Sequence, residues 1–284
     1  MMPVRQMALM YMVIAVILAG GCVLAPAGQI RLLDLADGQI LTADQALKRL
    51  EGIRIILVGE HHNSAVHHEA QLQIIKVLHQ AGRKVAIGME MFRRDSQADL
   101  DRWTSGNISA ERFKPVFKDN WNYAWDLYRP IFEYARREKL PMVGLNVPGA
   151  ITAQVAFHGF ESLSTDQKNG LEGITCDVTA EYRDFIQRAY GVHAHGRMDF
   201  GRFCEAQLVW DTAMAMYAID YLRQSVDTVL VILAGSGHAR KMGIPSRIAK
   251  TSKLPAAVLL PETKGVFDAG HTTVQDADYI ILNQ

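Results

Sequence analysis

IRIILVGEHHNS, residues 53–64, decides how the chain is read. Its apolar part is continuous and β-branched rather than alternating. That is the pattern of a strand buried on both faces of a parallel sheet. The run stops at Gly59, and Glu60, His61, His62 and Asn63 follow at once. His67 and His68 come next, so four of the ten histidines fall between positions 61 and 68. In open parallel sheets, ligand sites lie beyond the carboxyl ends of the strands. A site is therefore expected at this polar turn, and other strands ending the same way would complete it.

Outward from this stretch the pattern alternates. Upstream, a helix is expected over Ala43–Leu50, with Thr42 as N-cap and Gln45 three residues on. Downstream, residues 67–81 place Leu72, Ile75 and Leu78 on one helical face. KVAIGME (84–90) reads as a second strand, and short helices start near Ser96 and Ser109. A longer helix covers Trp125–Lys139, and PMVGLNV (141–147) is a third strand. TVLVILAG (228–235), AAVLLPE (256–262) and YIILN (279–283) supply three more. Between the third and fourth strands, residues 149–224 read as a helical insertion. Its stretch 200–222 is apolar nearly all round, as a helix buried between layers would be. This order implies an α/β fold, a three-layer sandwich with a largely parallel central sheet.

Composition bounds the function. The 284 residues are 49% apolar and 21% charged, enough for a sizeable core. Net charge is zero, which argues against a nucleic-acid partner, because phosphate binding needs concentrated Lys and Arg. The start of the chain is a separate object: Arg5, an apolar run from Met7 to Leu18, then Ala19, Gly20, Gly21 and Cys22. The run is short for a membrane span and suits a signal peptide over 1–21. The small residues before Cys22 resemble a bacterial lipobox, which implies lipidation at Cys22. Val23 after it favours the outer membrane, facing the periplasm. Residues 22–40 then read as a tether, and 41–284 as one domain carrying the insertion. Cys176 and Cys204 could pair in an oxidising compartment. Two cysteines alone do not establish a bridge, and Cys204 in its apolar stretch reads as a buried thiol.

The predicted strands end in chemistry. The first ends in Glu60 and His62, the second in Glu90, the third in Asn146, and the fourth in Gly235-Ser236-Gly237-His238 with Arg240 just beyond. If these strands are parallel neighbours, their polar groups meet on one edge. A Glu beside a His can fix the imidazole tautomer or activate water. Imidazoles with carboxylates also suit a divalent metal such as zinc or manganese. Single histidines in loops are more often solvated, and His61, His67 and His68 are read that way. Ser236 does not sit in Gly-x-Ser-x-Gly, and GSGHAR is not GxGxxG, so a serine nucleophile and a dinucleotide are both disfavoured. Gln207 and Asp211, four apart on the apolar helix, face the same way and can back the site.

VGEHHN, HHEAQ, IGMEMFRRDSQ, LNVP and GSGHARKMGIP together resemble the ChaN family of haem-binding bacterial lipoproteins. That family lies in the Tiki/TraB superfamily, marked by two GxxH motifs with a Glu between them. Gly59–His62, Glu90 and Gly235–His238 match these motifs, and the resemblance spans roughly residues 40–262. It implies an EreA/ChaN-like fold, haem as ligand, a role in iron uptake, a homodimer, and an outer-membrane haem receptor as possible partner. Haem needs an axial donor and a flat apolar pocket. Tyr182, Tyr190 and His193 in the insertion are the candidates, with His195 and Met198 nearby and Arg183, Arg188 or Arg197 for the propionates. Superfamily hydrolases imply the alternative. There Glu60, His62, Glu90, Asn146 and His238 form a catalytic centre, and His62, Glu90 and His238 hold zinc, manganese or cobalt. Arg240 would then stabilise a developing oxyanion.

Overall fold

A computed structural model describes residues 30–169, 171, 176, 178–193 and 199–283, with backbone alone at 181 and 188–193. The expected signal peptide, Cys22, His195, Arg197 and Met198 lie outside the described residues. The chain opens with strands β1 (Leu32–Asp34) and β2 (Ile40–Leu41), helix α1 (Ala43–Arg49) and strand β3 (Ile55–Glu60). Then come α2 (Ala65–Gln80), β4 (Lys84–Arg93), α3 (Gln97–Thr104), α4 (Ala110–Asn120), α5 (Trp125–Arg137) and β5 (Met142–Asn146). The insertion holds α6 (Gly149–His158), α7 (Thr165–Lys168), α8 (Ala180–His193) and α9 (Phe200–Gln224). β6 (Thr228–Gly235), α10 (Ser236–Ala239), α11 (Ile244–Thr251), β7 (Ala256–Pro261) and β8 (Tyr279–Ile281) complete it.

The eight strands form one sheet in the order β2-β1-β8-β7-β3-β6-β4-β5. From β8 to β5 all neighbours are parallel, while β1 and β2 add antiparallel pairs at one edge. The tether expected up to residue 40 is thus too long. Leu32 is fully buried and pairs with Ile281, and Arg49 reaches back to Asp34 and Asp37. The strand is only three residues long, two leucines and an aspartate, and that hid it from a pattern reading.

Strand periodicity sorts the core into two layers. Ile56 and Val58 of β3, with Val229, Val231 and Leu233 of β6, pack among α2, α4 and α5. Ile55 and Leu57, with Leu230, Ile232 and Ala234, pack against α9 and α11 on the other face. Strands buried on both faces give the continuous apolar runs seen in the sequence. α1 begins with the expected capping box between Thr42 and Gln45. α9 is buried on several sides because it lies between the sheet and a third cluster made with α6 and α8. Here Cys176 and Cys204 are joined in a disulfide, which corrects the reading of Cys204 as a buried free thiol.

Candidate functional site

β3 and β6 are direct parallel neighbours, and their register sets Gly59 opposite Ala234 and Glu60 opposite Gly235. Both GxxH segments therefore leave the sheet side by side. β4 lies on the other side of β6 and β5 beyond it, so Glu90 and Asn146 end on the same edge. Glu90 is buried, and its Oε2 accepts the Gly235 N–H at 2.5 Å. A Cβ at Gly235 would come within 2.9 Å of the His62 ring, so only glycine lets the imidazole pack against this turn.

His62 stands on a buried carboxylate. Its Nδ1 lies 2.7 Å from Glu60 Oε1, which also accepts the Tyr128 hydroxyl at 2.6 Å. Glu60 Oε2 accepts from Gln71 at 2.8 Å and lies 3.3 Å from His68 Nδ1. Trp121 packs edge-on to the His62 ring and donates to the Tyr128 oxygen, and Tyr123 flanks the imidazole at 5.0 Å. Burial opposes ionisation of Glu60, but the bonds from His62 and His68 hold its carboxyl down to about 2. Burial likewise works against protonation of His62, yet Glu60 and the charge of Glu90 raise its pKa. The Tyr128 hydroxyl, desolvated and beside Glu60, is held protonated.

His238 repeats this plan from the opposite helical layer. Its Nδ1 lies 2.7 Å from Asp211 Oδ1, and Asp211 Oδ2 accepts the Tyr182 hydroxyl at 2.6 Å. Trp210 packs edge-on to the His238 ring. The His238 Nε2 faces Glu90 Oε1 at 3.9 Å. Burial disfavours the imidazolium, but Asp211 and Glu90 raise its pKa to about 9. Tyr182, desolvated and next to Asp211, is held well above its usual value. Two chains of tyrosine, carboxylate and imidazole thus meet at Glu90.

The other expected residues are placed differently. Asn146 donates to the Glu90 carbonyl and accepts the Val147 N–H, so it braces the end of β4. Arg240 is paired with Asp276 and stacks on the Phe185 ring, 4.6 Å from its centroid, so its charge is already engaged. Ser236 donates to the Glu60 carbonyl. Among the described residues, no group of three or more His, Cys, Asp or Glu side chains is arranged to hold a metal ion. His62, Glu90 and His238 are among the described residues, so they are not gathered into the expected ligand set. His67 and His68 are buried rather than solvated. His68 belongs to the Glu60 cluster, and His67 Nδ1 accepts the His61 N–H. Tyr128 and Trp121 were not legible as site residues. His68 and Gln71 fall in HHEAQ, one of the segments that carry the resemblance, but nothing in that segment assigned them to the Glu60 cluster.

A family model described as haem-binding uptake, Tiki superfamily, ChaN, matches residues 46–248. The chain belongs to this ChaN family. Membership gives it a haem-related function. A solved structure, described as cofacial heme binding to ChaN of Campylobacter jejuni, is similar with a TM-score of 0.69 and 20% identity, covering 89% of this chain and 96% of that one. The type III effector HopBA1 is similar with a TM-score of 0.50 and 14% identity over 85% of this chain and 93% of its own. At such identities the likeness is one of fold. The Arabidopsis thaliana chloroplastic protein RETICULATA-RELATED 5 is 21% identical over 256 residues, 81% of this chain, and this ChaN-family chain spans about a third (34%) of its length.

Haem iron takes an axial donor from Tyr, His, Met or Cys. Tyr182 is buried and its hydroxyl donates a hydrogen bond to Asp211, and the two described cysteines are bonded to each other. His67 Nδ1 is an acceptor, which puts the proton of the neutral ring on Nε2 and leaves that nitrogen no free lone pair. Tyr190 and His193 lie in α8, where the backbone is described. Trp121 and the 42% exposed Tyr123 give the edge an aromatic wall beside His62, a surface a porphyrin face fits.

Proposed function

We propose that this chain binds haem for iron uptake, held by a lipid on Cys22 at the outer membrane and facing the periplasm. The observation that carries this is the convergence of Gly59–His62, Glu90 and Gly235–His238, the motif set of the superfamily to which the ChaN family belongs, on one sheet edge beside α8. The lipobox-like start of the chain supports the anchor. The Cys176–Cys204 bridge suits an oxidising compartment. Among the described residues no helix is long and apolar enough to cross a membrane. Tyr190 and His193 are the axial donors of this reading. A homodimer would bring two haem groups face to face, and an outer-membrane haem receptor is the exchange partner. The test is titration of haemin into the purified chain. A saturable Soret band that shifts in Tyr190→Phe or His193→Ala, and persists in Tyr182→Phe, is expected. No saturable band sinks the reading.

A second reading rests on the paired imidazoles. His238, held as imidazolium up to about 9, is placed to act as an acid, and His62 on Glu60 as a base, on either side of Glu90. It assigns the chain hydrolysis of an ester or amide. Turnover in an esterase and peptidase screen that disappears in His62→Gln would support it, and no turnover in the native chain would end it.

A further inference from the structure

Tyr182 also lines a cavity of about 600 Å³, together with Met242, Ser246 and three cations, Lys241, Arg247 and Lys250. This is the size of a small-molecule site. No acid is among its described lining residues. Two carboxylates in the loop before β8 are already taken, Asp276 by Arg240 and Asp278 by Lys241. Arg247 and Lys250 have no ion pair with any described residue. Arg247 also keeps a buried Nε with no acceptor. An unmatched buried donor is costly, and a bound oxyanion would satisfy it. A different cavity, about 800 Å³ between the start of α2 and the chain's last strand, has Glu69 as its charged lining residue, so concentrated positive charge is not a general property of this surface.

We propose that this cavity binds a small organic anion, a carboxylate or phosphate carried on an apolar body, with Arg247 and Lys250 taking the charge and Met242 and the Tyr182 ring facing the body. The proposal does not depend on the haem reading. Guanidinium and ammonium groups around one cavity suit an anion with two or more charged oxygens. The mixed lining argues against a bare inorganic ion as the natural occupant. Tyr182 is shared, since its ring lines the cavity while its hydroxyl holds Asp211. An occupant is therefore one side chain away from the carboxylate that orients His238. Porphyrin carboxylates are one source of such an anion and a free metabolite is the other.

The experiment is calorimetric titration of the full chain with protoporphyrin IX, its dimethyl ester and inorganic pyrophosphate. Leaving iron out separates the carboxylate contact from axial ligation. Binding of at least one anion is expected, weakened about tenfold in Arg247→Gln and about threefold in Lys250→Gln, and unchanged in the remote Arg137→Gln. Loss for protoporphyrin with the ester unaffected assigns the site to porphyrin carboxylates. Loss for pyrophosphate alone assigns it to a free anion. If neither anion binds the native chain, or both bind the variants as well as the native chain, the proposal is overturned. Lys250 is exposed, so that variant decides the matter should Arg247→Gln fail to fold. A chain that shows no Soret band with haemin but variant-sensitive pyrophosphate binding would end the haem reading and leave this one standing.

Discussion

Around His62, the carboxylate Glu60 gathers Tyr128, Gln71 and His68 as well as the imidazole, all from the helices packed on one face of the sheet. Around His238, Asp211 gathers, among the described residues, only Tyr182 and the imidazole, and both Asp211 and Tyr182 come from the insertion. The same device is thus built twice, once into the main core and once into α8 and α9. The difference is in what holds the carboxylate. Glu60 sits among donors fixed by β3, α2 and α5. The placement of Asp211 depends on α9, and its tyrosine depends on α8 staying seated.

Replacing each carboxylate by leucine tests this contrast most strongly. Glu60→Leu strands four donors in a buried place, and its expected cost is about 4 kcal/mol, in the range for breaking a buried charged cluster. Asp211→Leu strands two, and about 2–3 kcal/mol is expected. Urea unfolding monitored by circular dichroism gives both values. Equal losses would mean that the richer hydrogen bonding of Glu60 adds nothing, and the comparison would fail.

Removing the bridge tests the insertion side alone. Cys176 and Cys204 are separated by 28 residues, so the unfolded chain gains loop freedom when they are both changed to serine. Chain-entropy reasoning puts the cost at about 3.5 kcal/mol. Because Cys204 lies one to two turns before Asp211 on α9, the amides of α8 and the start of α9 should exchange faster while those of β3 and α5 do not. Hydrogen exchange resolved by segment would show this. Uniform acceleration throughout the chain would mean that the two halves unfold as one unit.

Much of the fold was readable because β3, β4, β5 and β6 are buried on both faces and end abruptly in polar residues. Glu60, His62 and His238 could be named from those ends, since position at a strand terminus is a one-dimensional fact. Glu90 reads as the end of the second strand, but β4 runs on to Arg93; Glu90 falls just past Met89, where the pairing with β6 stops. Partners contributed by helix faces were not. Tyr128 lies 68 positions from Glu60 and sits in a helix whose other buried residues are plain core. Arg240 and Asn146 were correctly placed near the edge, but sequence carries no sign that Asp276 and the Glu90 carbonyl would claim them. Strands as short as β1 and β2 leave almost no period to detect.

Acidity gives the gentlest probe of the two halves. His238 in the folded chain is raised to about 9, because Asp211 and Glu90 outweigh burial. A histidine with a raised folded pKa contributes stability that is complete below its unfolded value, about 6.5, and lost as pH rises through about 9. His67 has the opposite sign. Burial, with the nearby His61 and His68, lowers it to about 4, so the unfolded chain binds the extra proton between about 6.5 and 4 and stability falls as pH drops through that window. Below it, Glu60 withdraws its own contribution as pH falls from about 4.5 toward 2. The urea midpoint should therefore be highest just below neutral pH. His238→Asn should flatten the alkaline decline and leave the acid one, and Asp211→Asn should bring the His238 proton resonance midpoint down while moving His62 less. If His238 in the native chain titrates near 6.5, the second tyrosine–carboxylate–imidazole chain does not carry the charge its geometry assigns, and only the Glu60 half of the comparison survives.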